Sequence, residues 1–222
     1  MTTEKQASPQ KDLTLRTLYE KLYAFFGPQY WWPGDTPFEI TVGAILTQNT
    51  NWANVEKAID NLKVHHVLNS RALHKLPLQT LAALVRPSGY YNIKAKRLKD
   101  FIDFLVSGYG GSMARMKKGT TEKLRSELLA VNGIGQETAD SILLYALEKP
   151  VFVVDAYTRR VLSRHDIIDA NARYDEYQDF FHCELDQDVH LFNEYHALLV
   201  RVGKEYCRPR PRCERCPLSV LQ

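Results

Sequence analysis

Two glycines separated by one isoleucine stand between two apolar segments of this 222-residue sequence, in the stretch VNGIGQETAD at residues 131–140. Apolar residues recur at helical spacing on both sides: Leu124, Leu128 and Leu129 before the glycines, Ile142, Leu143 and Ala146 after them. Glycine adopts a positive φ without steric penalty and lets the backbone approach a ligand closely. The N-terminus of the second helix offers unpaired N–H groups that suit a phosphate. The pattern predicts a tight helical hairpin, which can bind an anion or be a purely structural turn.

Helical periodicity recurs along most of the chain. The stretch TPFE has the form of a capping box, with Thr36 as N-cap, Pro37 at the first helical position and Glu39 reaching back. Asn51 can cap a second helix, whose apolar face is Val55, Ala58, Ile59 and Leu62. The apolar run VFVV at 151–154 could be a short strand, but between helices we interpret it as a buried connector. We predict an all-α fold.

Composition and charge narrow the class of protein. Hydrophobic residues make up 45% and charged residues 25% of the sequence, which is typical of a soluble globular protein. The sequence contains no apolar run of about 18 residues and its polar start lacks the apolar core of a signal peptide, so we expect a cytoplasmic protein. The segment from Arg201 to Cys216 contains six basic and two acidic residues. This tail favours a polyanionic partner, or is simply a solvated basic segment.

An acidic residue follows the apolar connector, in VVDAYTRRVLSRH, twenty residues after Gly135. With the Gly-Ile-Gly hairpin, this segment resembles the helix-hairpin-helix DNA glycosylases related to endonuclease III, the HhH-GPD superfamily, over roughly residues 30–216. The resemblance implies that Gly133, Ile134 and Gly135 bind the DNA backbone and that Asp155 is the catalytic acid. From the residues alone, Asp155 could equally be the N-cap of the next helix.

Two further stretches are similar to this family: LTQNTN, just before Trp52, and GYYNIKAKRL at 89–98. The resemblance implies that Gln48 fills the space left by a flipped base, that Tyr90 wedges into the opposite strand, and that Lys94 contacts phosphate with Lys96 and Arg97. The alternatives are a helix-end amide, a core tyrosine and a solvated helix face.

Glu137 stands where endonuclease III has a lysine that attacks the sugar. A carboxylate cannot form a Schiff base, so we expect base excision without strand cleavage. In the first turn of a helix, this acid is also favourable to the helix dipole.

Two adjacent tryptophans and a proline, Trp31, Trp32 and Pro33, occur in YWWPGD. Flat aromatic rings suit a positively charged alkylated base through stacking and cation–π attraction. The stretch resembles the 3-methyladenine glycosylase branch, which also has Glu at the position of Glu137, and the resemblance implies that Trp31, Trp32 and Pro33 line the pocket for the base. Alternatively, the tryptophans close a seam between domains.

Three cysteines, Cys207, Cys213 and Cys216, are spaced C-x5-C-x2-C. The resemblance implies a [4Fe–4S] cluster, but relatives have one more residue in the first gap and a fourth cysteine where this chain has Gln222. A cluster with three cysteines, a zinc site and a metal-free relic remain open. We favour a degenerate cluster site.

The resemblance implies a two-lobed monomer that binds double-stranded DNA containing a damaged base in a cleft between its lobes, at the nucleoid and not at a membrane. We expect an N-terminal segment at 1–35 that packs with the C-terminal lobe, a helical barrel at 36–150 with the hairpin motif at 124–147, and a C-terminal lobe at 151–222 with the Cys-rich tail at 207–216. The predicted activity is a monofunctional DNA glycosylase acting on bases such as 3-methyladenine. The alternatives are a bifunctional glycosylase and AP lyase, and a non-catalytic DNA-binding module.

Overall fold

The computed structural model describes residues 14–31 and 34–219, and all regular secondary structure within these ranges is helical. The α-helices are α1 (Leu15–Phe26), α2 (Pro37–Leu46), α3 (Trp52–Val64), α4 (Ser70–Lys75), α5 (Leu78–Leu84), α6 (Tyr91–Tyr109), α7 (Met113–Met116), α8 (Thr121–Ala130), α9 (Gln136–Ser141), α10 (Ala156–Arg164), α11 (Tyr174–Glu184) and α12 (Val189–Glu205). A π-helical turn at Ile142–Ala146 continues α9. The all-α prediction is confirmed. None of the described helices is long and apolar enough to cross a bilayer.

Local sequence signals correctly predict where α2 and α3 begin. The Thr36 hydroxyl accepts the N–H of Glu39 at 3.1 Å, and the Asn51 side chain accepts the N–H of Asn54 at 3.1 Å. The predicted return of Glu39 to the cap is wrong, because its carboxylate lies 2.7 Å from Nζ of Lys63. Glu39 is buried, and this cation is its partner there.

Chain contacts divide the described residues into two compact units. Residues 31, 34–153 and 187–193 form the central unit, and residues 14–30, 154–186 and 194–219 form the terminal unit. These boundaries lie close to the sequence-based ones at 35 and 150. Residues 187–193 are a difference, since they group with the central unit and not with the rest of 151–222.

The core of the central unit forms around α2, which is apolar on nearly every side. Its buried residues meet the apolar faces of α3 and α6 and the π-helical turn: Ile40, Val42, Ile45 and Leu46; Val55, Ala58, Ile59 and Leu62; Leu98, Phe101, Ile102 and Leu105; and Leu143 and Leu144. Each of the large side chains contributes about 1.5–3 kcal/mol on burial. This packing holds α9 and the π-helical turn, the second half of the helical hairpin, against α2.

The terminal unit is built from α1, α10, α11 and most of α12. The hydroxyl of Tyr195 donates to the carbonyl of Leu15 at 2.8 Å, and its ring meets Phe181 edge-on with centroids 5.5 Å apart. Sequence periodicity did not identify α11, although Glu176 accepts the N–H of Arg173 at 2.7 Å in the manner of a capping acid.

Candidate functional site

The predicted hairpin is present, and its two glycines have different roles. Gly133 has φ +83°, and a Cβ added there would collide with Cγ of Arg97, so both its backbone and its neighbours require glycine. Gly135 has extended backbone at φ −91° as the N-cap of α9, and an added Cβ would meet open space. The reasoning from positive φ therefore applies to Gly133 alone. Gly135 is the position where a ligand can approach the backbone.

Ile134, between the glycines, turns its side chain inwards. It is 5% exposed, and its N–H donates to the carbonyl of Val131 at 3.1 Å. The side chain anchors the hairpin in the core of the central unit, and any contribution of Ile134 to DNA binding would come from its backbone.

Gln48 lies beside the hairpin and is hydrogen-bonded to it. Its Nε2 donates to the carbonyl of Gly133 at 3.1 Å and to the Thr138 hydroxyl at 2.9 Å, and its Oε1 accepts from Arg97. The structure therefore brings Gln48 and the hairpin together, across 85 residues of sequence. In this conformation the amide holds the hairpin.

Tyr90 is at the surface, which excludes the alternative of a core tyrosine. Its side chain is 70% exposed, and its backbone is left-handed at φ +45°, ψ +33°, where it caps the N-terminus of α6. A non-glycine residue in this conformation is strained, and such strain persists where the surrounding structure maintains it, often at functional sites.

The assignment of Lys94 to a phosphate contact is wrong. Lys94 is 1% exposed, and its Nζ donates to the carbonyl of Leu46 at 2.8 Å and to that of Ser88 at 2.6 Å. Burial, with a smaller effect of the Arg97 charge, lowers the pKa of Lys94 to about 8. Sequence reasoning failed because a lysine stem can reach inward to satisfy backbone carbonyls left free at the ends of helices, here those of Leu46 and Ser88.

Asp155 ends the buried connector and caps α10. Its Oδ1 accepts the N–H of Thr158 at 2.7 Å, and its Oδ2 lies 3.7 Å from Nε2 of His196 in α12. The side chains of Asp155 and His196 are 13% and 9% exposed. The N-cap role expected from the sequence is confirmed, and the proximity of His196 was not predicted.

The surroundings of Asp155 favour its ionised form. Burial by itself raises the pKa of the carboxyl, but the charge of His196 and the hydrogen bond from the Thr158 N–H hold it below its ordinary value. A buried carboxylate that remains charged can stabilise a developing cation close to it.

Of the three residues assigned to a base pocket, only Trp31 falls in the part of the chain that the structure describes. It is half-buried at the start of the central unit. Trp32 and Pro33 lie outside the described residues, and so does Gln222.

Cys207, Cys213 and Cys216 line one small cavity in the terminal unit, together with Arg164 and His165. Burial raises the pKa of the Cys216 thiol, and the other two cysteines raise it further. Nη1 of Arg164 donates to Sγ of Cys207 at 3.4 Å. Among residues 14–31 and 34–219, no three His, Cys, Asp or Glu side chains converge closely enough to hold a metal ion. As placed, these residues do not fit a [4Fe–4S] cluster.

A sequence profile described as the HhH-GPD superfamily of base excision DNA repair proteins matches residues 42–182, more than half of the chain and including the hairpin and Asp155. The chain belongs to this family. Within it, a protein of Methanocaldococcus jannaschii named as a DNA repair glycosylase is 48% identical over 204 residues, covering 91% of this chain and 92% of that relative. Endonuclease III of Thermotoga maritima is 29% identical over 185 residues, covering 82% and 81%.

Among solved structures, the HhH-GPD fold of this chain is similar to that of a 3-methyladenine DNA glycosylase from Helicobacter pylori bound to 1,N6-ethenoadenine. The TM-score is 0.77 at 32% identity, covering 87% of this chain and 98% of the other. The protein is a DNA N-glycosylase, which hydrolyses N-glycosidic bonds in base excision repair.

Proposed function

We propose that this glycosylase is monofunctional and removes alkylated purines, 3-methyladenine foremost. The observation that carries the proposal is Glu137, an exposed carboxylate in the first turn of α9. It occupies the position of the endonuclease III lysine, and the 3-methyladenine branch that the chain resembles has Glu there. The similarity to the Helicobacter pylori enzyme supports the same branch.

In this proposal Asp155 supplies the charge that the reaction needs. Breaking an N-glycosidic bond passes through an oxocarbenium-like state, which a nearby carboxylate stabilises while it orients or activates water. An alkylated purine is already cationic and leaves without much protonation, so one carboxylate is sufficient. The low pKa of Asp155 keeps that carboxylate ionised.

Recognition of the base is proposed to use a flat aromatic surface. A cationic ring over a tryptophan gains about 0.5–2 kcal/mol, which neutral bases gain to a lesser degree. Trp31 and Trp32 are the candidates. Replacing the stacking residue with Ala should slow release of the cationic base about tenfold and affect neutral lesions less.

Binding to DNA is proposed to involve the open backbone at Gly135, which would contact the DNA backbone, and the exposed ring of Tyr90, which would wedge into the opposite strand. The extended Gly135 and the following N–H groups of the hairpin can receive a phosphate. Such contacts position the duplex without reading its sequence. The target base must leave the stack before it can be excised.

A bifunctional enzyme is the second candidate, favoured by the 29% identity to an endonuclease III. Its chemistry needs an amine nucleophile, and Lys94 has the lowered pKa of such a group. However, Nζ of Lys94 is buried and donates to two carbonyls, so it is poorly placed to attack a sugar.

The test is a panel of duplexes that each carry one lesion: 3-methyladenine, 1,N6-ethenoadenine, thymine glycol, uracil or 8-oxoguanine. Free base is measured by chromatography, and borohydride trapping is run in parallel. We expect release of the alkylated purines and no trapped complex. Release of oxidised pyrimidines with efficient trapping would establish the bifunctional alternative, and no release from any duplex would point to a binding module.

A further inference from the structure

Two helices of the terminal unit, α10 and α12, contact the carboxylate of Asp155. The N-terminus of α10 holds Oδ1 through the Thr158 amide at 2.7 Å. The imidazole of His196 in α12 lies on the other side, with Nε2 at 3.7 Å from Oδ2, which is the distance of an ion pair when the ring is protonated. The two contacts together restrict rotation of the carboxylate plane.

Both partners are nearly buried, so water cannot replace this contact freely. A carboxylate removed from water tends to take up a proton unless charges or hydrogen bonds compensate. In the described part of the terminal unit, His196 is the titratable group whose charge acts on Asp155, and the N–H of Thr158 donates to the same carboxylate.

We propose that His196 is a positioning residue for base excision, which orients the Asp155 carboxylate and keeps it ionised in its buried site. This inference rests on the proposed catalytic role of Asp155. His196 acts through Asp155, so its loss should slow the chemical step and not weaken the binding of DNA. The pKa of Asp155 should also rise, because burial raises it and the charge of His196 would no longer lower it.

The experiment compares His196→Ala and His196→Gln with wild type in single-turnover base release across pH 4.5–8.5 on dimethyl sulfate-treated DNA. Affinity is measured separately on an uncleavable duplex. His190→Ala is the matched control, because His190 is on the same helix and exposed. Melting temperatures report folding.

We expect His196→Ala to be about tenfold slower at neutral pH, with affinity within about threefold of wild type. Its rate should fall at the acid end of this range, because loss of an opposite charge raises a carboxyl pKa by at least about one unit, whereas the wild-type rate should stay level down to pH 4.5. Gln keeps an N–H donor at similar reach, so His196→Gln should recover most of the neutral-pH rate but keep the fall at the acid end. His190→Ala should match wild type.

The proposal is wrong if the His196 variants match wild type in rate and pH dependence, or if they lose affinity and rate equally. If His196→Ala does not fold, the pH dependence of His196→Gln decides the question. If Asp155→Asn is inactive while the His196 variants behave like wild type, the proposed function stands and only the role of His196 is removed. Full activity of Asp155→Asn would instead contradict the proposed function.

Discussion

The guanidinium of Arg125 in α8 forms a bidentate ion pair with the carboxylate of Asp140 in α9. Nε donates to Oδ1 at 2.7 Å and Nη2 donates to Oδ2 at 3.1 Å, while Asp140 is completely buried. This pair joins α8 and α9, the two helices of the glycine hairpin, behind its tip. Arginine suits the task because its planar fork matches a carboxylate.

Replacing Arg125 with Met should destabilise the protein by about 3 kcal/mol, because it leaves a buried carboxylate without its cation. Lys123→Ala on the same helix is the control. Lys123, whose side chain is 62% exposed, pairs with Glu127 at 3.8 Å, and its loss should cost less than about 0.5 kcal/mol. Urea unfolding measures both changes. Equal stability of the two variants would show that the hairpin does not depend on the buried pair.

The two hairpin glycines should separate folding from binding. Gly133→Ala places an alanine at a position whose φ is positive, and its Cβ would collide with Arg97. The unfolding free energy should therefore fall by at least about 1 kcal/mol. Gly135→Ala should leave it unchanged within about 0.5 kcal/mol. It should nevertheless weaken binding to all DNA sequences alike, because an added methyl group keeps a phosphate from the backbone.

Chemical denaturation and fluorescence anisotropy on several unrelated duplexes measure these effects. Wild-type affinity in Gly135→Ala, or a loss confined to one lesion, would show that this backbone does not contact phosphate.

Lys94→Met should reduce stability by about 1–3 kcal/mol, because two buried carbonyls lose their donor. Lys96→Met, at an exposed position of the same helix, serves as the control. The dependence of DNA affinity on salt should be the same in Lys94→Met as in wild type, since its charge does not reach the surface. A shallower salt slope in this variant would restore Lys94 as a phosphate contact.

The stability difference between wild type and Lys94→Met should depend on pH. Burial lowers the pKa of Lys94 from 10.5 to about 8 in the folded protein. Between these values the unfolded chain binds a proton that the folded protein does not, so this residue makes the unfolding free energy rise with pH. Urea titrations at pH 7.5 and 9.5 should show this rise in wild type relative to the variant.

Asp155→Asn should abolish base release while DNA affinity stays within a few-fold of wild type. The amide keeps an oxygen to cap α10 but carries no charge to stabilise the sugar cation. Single-turnover release on alkylated DNA and binding to an uncleavable duplex are the measurements. Near wild-type turnover would remove Asp155 from the mechanism.

The Cys-rich tail should contain far less than one cluster per chain, because the described thiols do not converge on a metal position. Metal analysis of protein purified without oxygen should give substoichiometric iron, with weak absorbance near 400 nm. Cys213→Ser should then leave the melting temperature unchanged. Four irons per chain, or one zinc, would contradict this expectation.

The amino-acid sequence by itself determined the features that depend on near neighbours along the chain. Helix starts at Thr36, Asn51 and Asp155 follow from side chains that bond to an N–H three residues away. The apolar faces follow from helical spacing, and the glycine hairpin from two helical runs that a short turn must join. Together with the resemblance they carried, these local signals were enough to identify an all-α HhH-GPD glycosylase.

Only the tertiary structure decided which distant side chains meet. Lys94 reaches the end of α2, 48 residues earlier, Gln48 reaches Gly133, and His196 reaches Asp155. Sequence periodicity reports which face of a helix is apolar, but it does not report which helix lies opposite. A charged or polar group on such a face can therefore be solvated, buried or catalytic, and its pKa depends on partners that only packing supplies.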